Sequence, residues 1–464
     1  MAYLDNIKID NHDIFGSVNV ELTRRSNDID GNYFSLIIGE NGTGKSELLK
    51  TISNAINYRI NNHIYKTNLT NPESVTINFR DEVIPDYLLV SALSLNDKFQ
   101  NVNRRSKLYH PNYRYMGIRS TTNNAFIGKY KRDFLDCFIK ILSDDRRINS
   151  LKDALFSIGL PYKFKFSFEK GRGMNKIFTL IEESDSVENF TDNFNILISE
   201  IQEKKKNYRL DDDYLDKIKG SRRLQLEAYN FIKVNNRDIS SLTYEIDLLE
   251  TALNEKFIVD FNTLQLMMET KLISIKDFHF TNENEHSFSS SSSGQYHILS
   301  SFINIISNIN DNSILLIDEP EISLHATWQI KYFDILKQLL HPFKSCHTII
   351  CSHSHFLVSA MEKQDSSVIH IKNESHGKVS FNTIEADVWG WSPENVLYNV
   401  FGVSSTRNSY FEQDLRKIIS IISKENGTVH DLIDPLERIK RFNITNEDPL
   451  SLVIERAEKF INEA

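Results

Sequence analysis

Near its start the chain alternates apolar and polar positions. Ile7 and Ile9 are followed by Val18, Val20 and Leu22, with Gly16 between the two groups. A period of two on both sides of a glycine predicts a strand pair that turns near Gly16. Phe34-Ser35-Leu36-Ile37-Ile38 is a short, nearly unbroken apolar run, the pattern of a strand covered on both faces. The period then changes. In KSELLKTISNAINYRI, beginning at Lys45, the residues Leu48, Leu49, Ile52 and Ile56 share one face of a helix. Strand character returns at Val75 to Phe79 and at Tyr87 to Leu93.

Residues 120–275 have a different character, rich in charge and in helical spacing. Phe190, Phe194, Leu197 and Ile201 fall on one helix face, and Leu242, Ile246, Leu249 and Leu253 predict another. The heptads are not sustained, so this region reads as a helical insertion rather than a coiled coil. Apolar strand runs resume at Ile314–Ile317 and at His347–Cys351, with helical segments between them. Strands that alternate with helices predict a parallel sheet covered on both sides. From about Trp389 the pattern is helical again, with Leu415, Ile418, Ile419 and Ile422 in one seam. No internal repeat is present. The expected division is a first lobe over 1–119, a helical insertion over 120–275, a second lobe over 276–388 and a helical tail over 389–464.

Composition adds limits. A chain of 464 residues with 40% hydrophobic content has ample material for about two to three domains. The net charge of −9 gives no whole-molecule attraction to nucleic acid. Arg104-Arg105, Arg146-Arg147, Lys204-Lys205-Lys206 and Arg222-Arg223 form basic clusters. Such clusters read first as solvated faces and second as nucleic-acid contacts. No stretch reaches the ~18 consecutive apolar residues of a membrane helix. The opening MAYLDNIKID carries acids and lacks the form of a signal peptide. A cytoplasmic protein without a membrane partner is expected. Cys137, Cys346 and Cys351 are scattered, with no CxxC pair. They are expected to be buried thiols rather than zinc ligands or disulfides.

Four motifs carry chemistry. Gly39-Glu40-Asn41-Gly42-Thr43-Gly44-Lys45-Ser46, followed by Glu47, fits GxxxxGK[ST] between an apolar strand and an amphipathic helix. Glycines there let backbone N–H groups turn toward phosphates. Lys45 brings a charge to the β and γ oxygens, and Ser46 offers a hydroxyl to Mg²⁺. Asp318-Glu319 directly follows the strand Ile314–Ile317. Carboxylates at a strand's carboxyl end lie where open α/β sheets bind ligand, so Asp318 is the metal candidate and Glu319 the residue that polarises water. In HSFSSSSSG, near 286–294, Ser291-Ser292-Ser293-Gly294-Gln295 precedes a helical pattern. It reads either as a Ser-rich linker or as an anion-binding helix start. His353 follows the strand at Ile349-Ile350, where a side chain can reach a γ-phosphate.

Taken in order, these motifs resemble the ABC-type ATPases, including SMC-like DNA-repair heads. GENGTGKS resembles their Walker A, and its Asn41 separates it from AAA+ machines. SSSGQ resembles the signature LSGGQ, with Ser292, Gly294 and Gln295 matched. ILLIDEP resembles Walker B, and His353 matches the switch histidine. DEPEISLH resembles the D-loop region, although His325 stands where transporters usually have Asp. The Q-loop equivalent is expected within SALSLNDKF. A narrower resemblance is to stand-alone ATPases of bacterial anti-phage systems, the PtuA type of Septu and retron loci. It rests on PDYLLVSALSLNDKF with YRYMGIRS, on the single split cassette, and on the tail VWGWSPENVLYNVFG with TRN.

The resemblance implies an α/β P-loop head with a mixed, largely parallel sheet, a helical insertion and a helical tail. It implies ATP and Mg²⁺ as ligands, with Lys45, Glu319 and His353 catalytic. It also implies that two heads sandwich ATP, each site completed by Ser292 and Gly294 of the other chain. Implied partners are further copies of the chain, a separate HNH-type nuclease, and nucleic acid such as a retron RNA–DNA. Three alternatives stand beside it: an SMC-type DNA-repair ATPase, a metabolic P-loop kinase, and a scaffold that holds ATP without turnover.

Overall fold

A computed structural model describes the chain except residues 25–30, 65–73, 95–96, 100–110, 118–126, 172–174, 205–220, 235–236, 251–253, 270–271, 281–285, 288–292, 375–378, 403–407, 424–427, 442–449 and 464. It divides into a unit of Met1–Trp389 and a second of Gly390–Ala464.

The larger unit opens with β1 (Leu4–His12), β2 (Gly16–Glu21), β3 (Tyr33–Gly39), β4 (Ser74–Phe79), β5 (Tyr87–Ala92) and β6 (Tyr113–Tyr115). Strands β1 and β2 pair antiparallel, Ile7 opposite Val20 and His12 opposite Gly16, as the alternation predicts. Later come β7 (Lys163–Lys170), β8 (Thr243–Asp247), β9 (Ile273–Phe280), β10 (His286–Ser287), β11 (Ser313–Asp318), β12 (His347–Ser352), β13 (Ser366–Asn373) and β14 (Val379–Thr383). The principal sheet has seven strands in the order β14-β13-β3-β12-β11-β5-β6. All its pairs are parallel except β13 with β14. Every residue of β3, β11 and β12 is buried, which explains their apolar runs.

The helix Lys45–Ile64 covers one face of this sheet. Its Leu48, Leu49, Ile52 and Ile56 join Ile37, Leu316 and Ile349 of the sheet and Ile7, Ile9 and Val20 of the small sheet in one core. Because strand residues alternate between faces, Phe34 points the other way. It meets Phe333 of the helix Ala326–Leu340 with ring centroids 5.0 Å apart.

The middle of the chain departs from an all-helical insertion. Helices Ile127–Leu142, Asp145–Ile158, Asn175–Glu183, Val187–Lys204, Arg222–Tyr229 and Glu255–Glu269 are present. They accompany a four-stranded sheet in the order β10-β9-β7-β8. Phe190 and Phe194 are buried on their helix as expected, while the side chain of Ile201 lies outside the described residues. The helix expected from Leu242 to Leu253 is instead β8. Tyr244 and Ile246 are buried and Leu249 is 60% exposed; Leu253 lies outside the described residues. Spacing of four fits a period of two as well as a helix face, and the β-branched and aromatic content of TYEID favours the strand. Its partner β7 supplies Phe164, Phe166 and Phe168, all buried.

The second unit is helical: Pro393–Asn399, Ser409–Ile422, Val429–Lys440 and Leu450–Glu463. Its core joins Phe411, Ile418, Ile421, Leu432, Leu436, Ile439, Leu450 and Ala457. Ile418 lies in that core as its spacing predicts, and Leu415 and Ile422 pack against it, but Ile419 is 44% exposed. All three cysteines are buried. No described helix is long and apolar enough to cross a membrane.

Candidate active site

Three adjacent strands bring the distant motifs together. Ile38 of β3 lies opposite Ser352 of β12, and Cys351 of β12 opposite Asp318 of β11. The parallel register therefore aligns their carboxyl ends. The loop after β3, His353 after β12 and Asp318-Glu319 at the end of β11 share one edge, where open α/β sheets form ligand crevices.

The glycine loop has the backbone its sequence requires. Gly42 and Gly44 adopt φ of 80° and 91°, a left-handed region in which side chains are strained. Gly39 allows close strand packing, since a Cβ there would stand 2.4 Å from the carbonyl oxygen of Ile371. Thr43 Oγ1 donates to the Glu40 carbonyl at 2.9 Å.

Lys45 is 4% exposed. Its Nζ donates to the carbonyls of Gly39 at 3.0 Å and Glu40 at 2.9 Å, and lies 3.1 Å from His353 Nδ1. Burial lowers its pKa, opposed by the charges of nearby carboxylates. Ser46 Oγ donates to Asp318 Oδ1 at 3.1 Å. Burial pushes the Asp318 carboxyl up to about 7; the Ser46 hydroxyl opposes the shift, while Glu319, Glu321 and Asp97 add to it. Glu319 behaves oppositely. Its Oε1 lies 3.0 Å from His353 Nε2, and that bond holds its pKa below the usual value despite partial burial. Two adjacent carboxyls are thus driven apart in acidity, as in sites that assign them different work.

Both ring nitrogens of His353 are engaged. Nε2 faces Glu319, while Nδ1 lies against both the Lys45 ammonium and, at 2.9 Å, the Gly39 carbonyl oxygen, so the ring bridges Glu319 and the glycine loop. Glu319 itself sits at φ 48°, a left-handed conformation that is strained for a residue with a side chain.

The cleft encloses about 360 Å³ and is lined by Asn41, Gly42, Gly44, Lys45, Ser46, Glu47, Asp318, Glu319 and His353 among the predicted residues. Glu47 binds Lys50 at 2.8 Å and Lys98 at 3.0 Å. Sequence reasoning missed Ile14, Asp97 and Lys98, which also line the cleft. Asp97 and Lys98 lie in the SALSLNDKF stretch in which the Q-loop equivalent is expected. Ile14 comes from the β1–β2 turn, and no signal in the sequence marked it.

The signature stretch is described in part. Ser291 and Ser292 lie outside the described residues, and of Gln295 only its backbone place in the helix Ser293–Asn308 is described. Gly294 is buried, and a Cβ on it would stand 2.7 Å from the carbonyl oxygen of Ser323. His325 caps the helix Ala326–Leu340, its Nδ1 accepting from the Thr327 backbone N–H at 3.4 Å.

The donor set fits a small hard cation with phosphates. The Ser46 hydroxyl and the Asp318 carboxylate are oxygen donors already adjacent at 3.1 Å, the type Mg²⁺ takes together with substrate phosphates.

The fold is therefore an α/β head with a mixed, largely parallel sheet and a phosphate-loop pattern at its carboxyl edge. Over 114 residues the chain is 25% identical to the Septu protein PtuA of Bacillus thuringiensis, a segment that is 24% of this chain and 28% of that protein. The match thus spans under a third of the relative's length. No family model matches. Among solved structures, the Smc head domain with an extended coiled coil bound to the C-terminal domain of ScpA, from Pyrococcus furiosus, aligns at 12% identity. The alignment covers 83% of this chain and 96% of that one, with a TM-score of 0.33. The SmcHead bound to the C-winged helix domain of ScpA aligns at 11% identity over 82% and 98%, with a TM-score of 0.28. The architecture stands on the strand order and register described above.

Proposed function

We propose that this chain is an ABC-type ATPase that closes with a second copy around ATP and, through that closure, controls a separate nuclease in anti-phage defence. The observation that carries the reading is the hydrogen-bonded union of Lys45, Ser46, Asp318, Glu319 and His353 in one cleft. Lys45 exchanges its carbonyl partners for β and γ phosphate oxygens. Ser46 and Asp318 would hold Mg²⁺, which would supply positive charge to the phosphates. Glu319, ionised and oriented by His353, polarises the attacking water. Ser292, Gly294 and Gln295 of the second copy complete the site. Similarity to the Septu protein PtuA supports the defence role.

Phosphate release at saturating ATP tests the reading. Lys45→Ala removes a preorganised charge, so turnover falls by ~100-fold or more. Glu319→Gln slows turnover comparably while ATP stays bound. Undiminished turnover in Lys45→Ala places the chemistry elsewhere.

A further inference from the structure

The turn that carries His353 is stitched to the loop that carries Glu319 by side chains with no role so far. Glu321 Oε1 accepts the His353 backbone N–H at 2.5 Å. Its other oxygen is buried and has no hydrogen-bond partner among the described residues. From the adjoining helix, Gln329 makes a second stitch. Its Nε2 donates to the Leu324 carbonyl at 2.9 Å, and its Oε1 accepts from Ser354 Oγ at 2.7 Å. Between these, the Glu319 backbone N–H donates to the Cys351 carbonyl at 2.8 Å. The loop is braced internally as well, Ile322 N–H donating to Glu319 O at 3.2 Å and Leu324 N–H to Glu321 O at 2.9 Å.

Glu319 and His353 stand just past the ends of two paired strands, Asp318 lying opposite Cys351, and beyond that ladder their turns are joined by side chains. Their 3.0 Å contact depends on the relative height of the two backbones. Glu321 and Gln329 bond consecutive residues of the turn, the His353 N–H and the Ser354 hydroxyl. We propose that Glu321 and Gln329 are positioning residues for hydrolysis: they clamp the His353 turn so that its imidazole holds Glu319 and Lys45 in register. The inference rests on the ATPase reading above and adds to it the residues that keep the water-polarising carboxylate in place.

The test is steady-state phosphate release with a fluorescent-nucleotide binding titration on the full chain. The variants are Glu321→Leu, Glu321→Gln, Gln329→Leu, His353→Ala and the double variant Glu321→Leu/His353→Ala. Glu321→Leu and Gln329→Leu lower kcat by ~10–100-fold, the loss expected for a charge-assisted or buried hydrogen bond, with nucleotide affinity within about threefold. Glu321→Gln keeps an acceptor oxygen and restores most of kcat. In the His353→Ala background Glu321→Leu causes no further loss, because its effect runs through that side chain. If Glu321→Leu does not fold, judged by circular dichroism, Gln329→Leu carries the same comparison through its bond to Ser354.

Unchanged kcat in the leucine variants overturns the proposal. So does a Glu321→Gln loss as large as that of Glu321→Leu, or an undiminished further loss without His353. Equal phosphate release by wild type and Lys45→Ala fails the ATPase reading itself. A dead Lys45→Ala beside unaffected leucine variants fails only the clamp.

Discussion

His347, at the start of β12, is fully buried at the opposite end of the strand from His353. Its Nδ1 accepts the Leu4 backbone N–H at 3.0 Å, and its Nε2 lies 2.8 Å from Ser35 Oγ. Ser35 uses its own proton on the Leu22 carbonyl at 2.6 Å, so Nε2 carries the proton and the ring is neutral. Burial, with Arg80 adding, pushes its pKa down to about 3. In the unfolded chain the same ring takes up a proton near pH 6.5. Its contribution to stability is full above about 6.5 and is lost as the pH falls toward 3, at ~1.4 kcal/mol per pH unit. Between pH 7.5 and 5.5 the loss from this residue alone is therefore ~1.4 kcal/mol. Substituting His347→Phe keeps a ring against Tyr3 and Tyr33, whose centroids lie 6.1 and 5.5 Å away, but leaves the Leu4 N–H without its acceptor. At pH 8 the variant is less stable than wild type by ~1–3 kcal/mol, the cost of a buried unpaired donor. Urea denaturation of both proteins at several pH values cancels the titration of every other group in the difference. That difference shrinks by about 1.4 kcal/mol from pH 7.5 to 5.5. A pH-independent difference would mean that His347 is not held neutral by the fold.

In the metal-free chain, Asp318→Asn removes a carboxyl whose folded pKa is raised to about 7. A raised carboxyl favours folding below its unfolded pKa and loses that advantage as the pH climbs through 7. The variant is therefore more stable than wild type at pH 8 by ~1–3 kcal/mol, less so at pH 5, and loses Mg²⁺-dependent phosphate release. A lower urea midpoint at pH 8 contradicts this. Gly39→Ala forces a Cβ to within 2.4 Å of the Ile371 carbonyl and destabilises the chain by ~2 kcal/mol or more; a thermal midpoint equal to wild type refutes the close packing of β3 on β13. Mixing Ser292→Arg chains with Lys45→Ala chains restores part of the turnover, since a mixed dimer holds one site with both lesions and one with neither. No gain on mixing argues against shared sites.

The glycine loop, the strand before it and the helix after it were legible because their signals are local. Glycine spacing and the unbroken run Phe34–Ile38 act through neighbouring residues, and so does the face of Leu48, Leu49, Ile52 and Ile56. The acidic pair at the end of β11 and His353 after β12 were legible as candidates, each from its place after an apolar run. Their convergence with Lys45 was a matter of parallel register, which residues so far apart in the chain cannot encode locally. Between Leu242 and Leu253 the spacing supported two periods, and the aromatic face of β7 decided for the strand. Glu321 and Gln329 carry no pattern of their own, because their meaning lies in a backbone N–H and a hydroxyl contributed by another segment. The chemistry of single residues followed the same division. Sequence alone determined that Asp318, Glu319 and His347 can titrate. Only burial and the partners brought by the tertiary fold set the directions, raising Asp318, lowering Glu319 and holding His347 neutral, because solvation and proximity are properties of the packed chain.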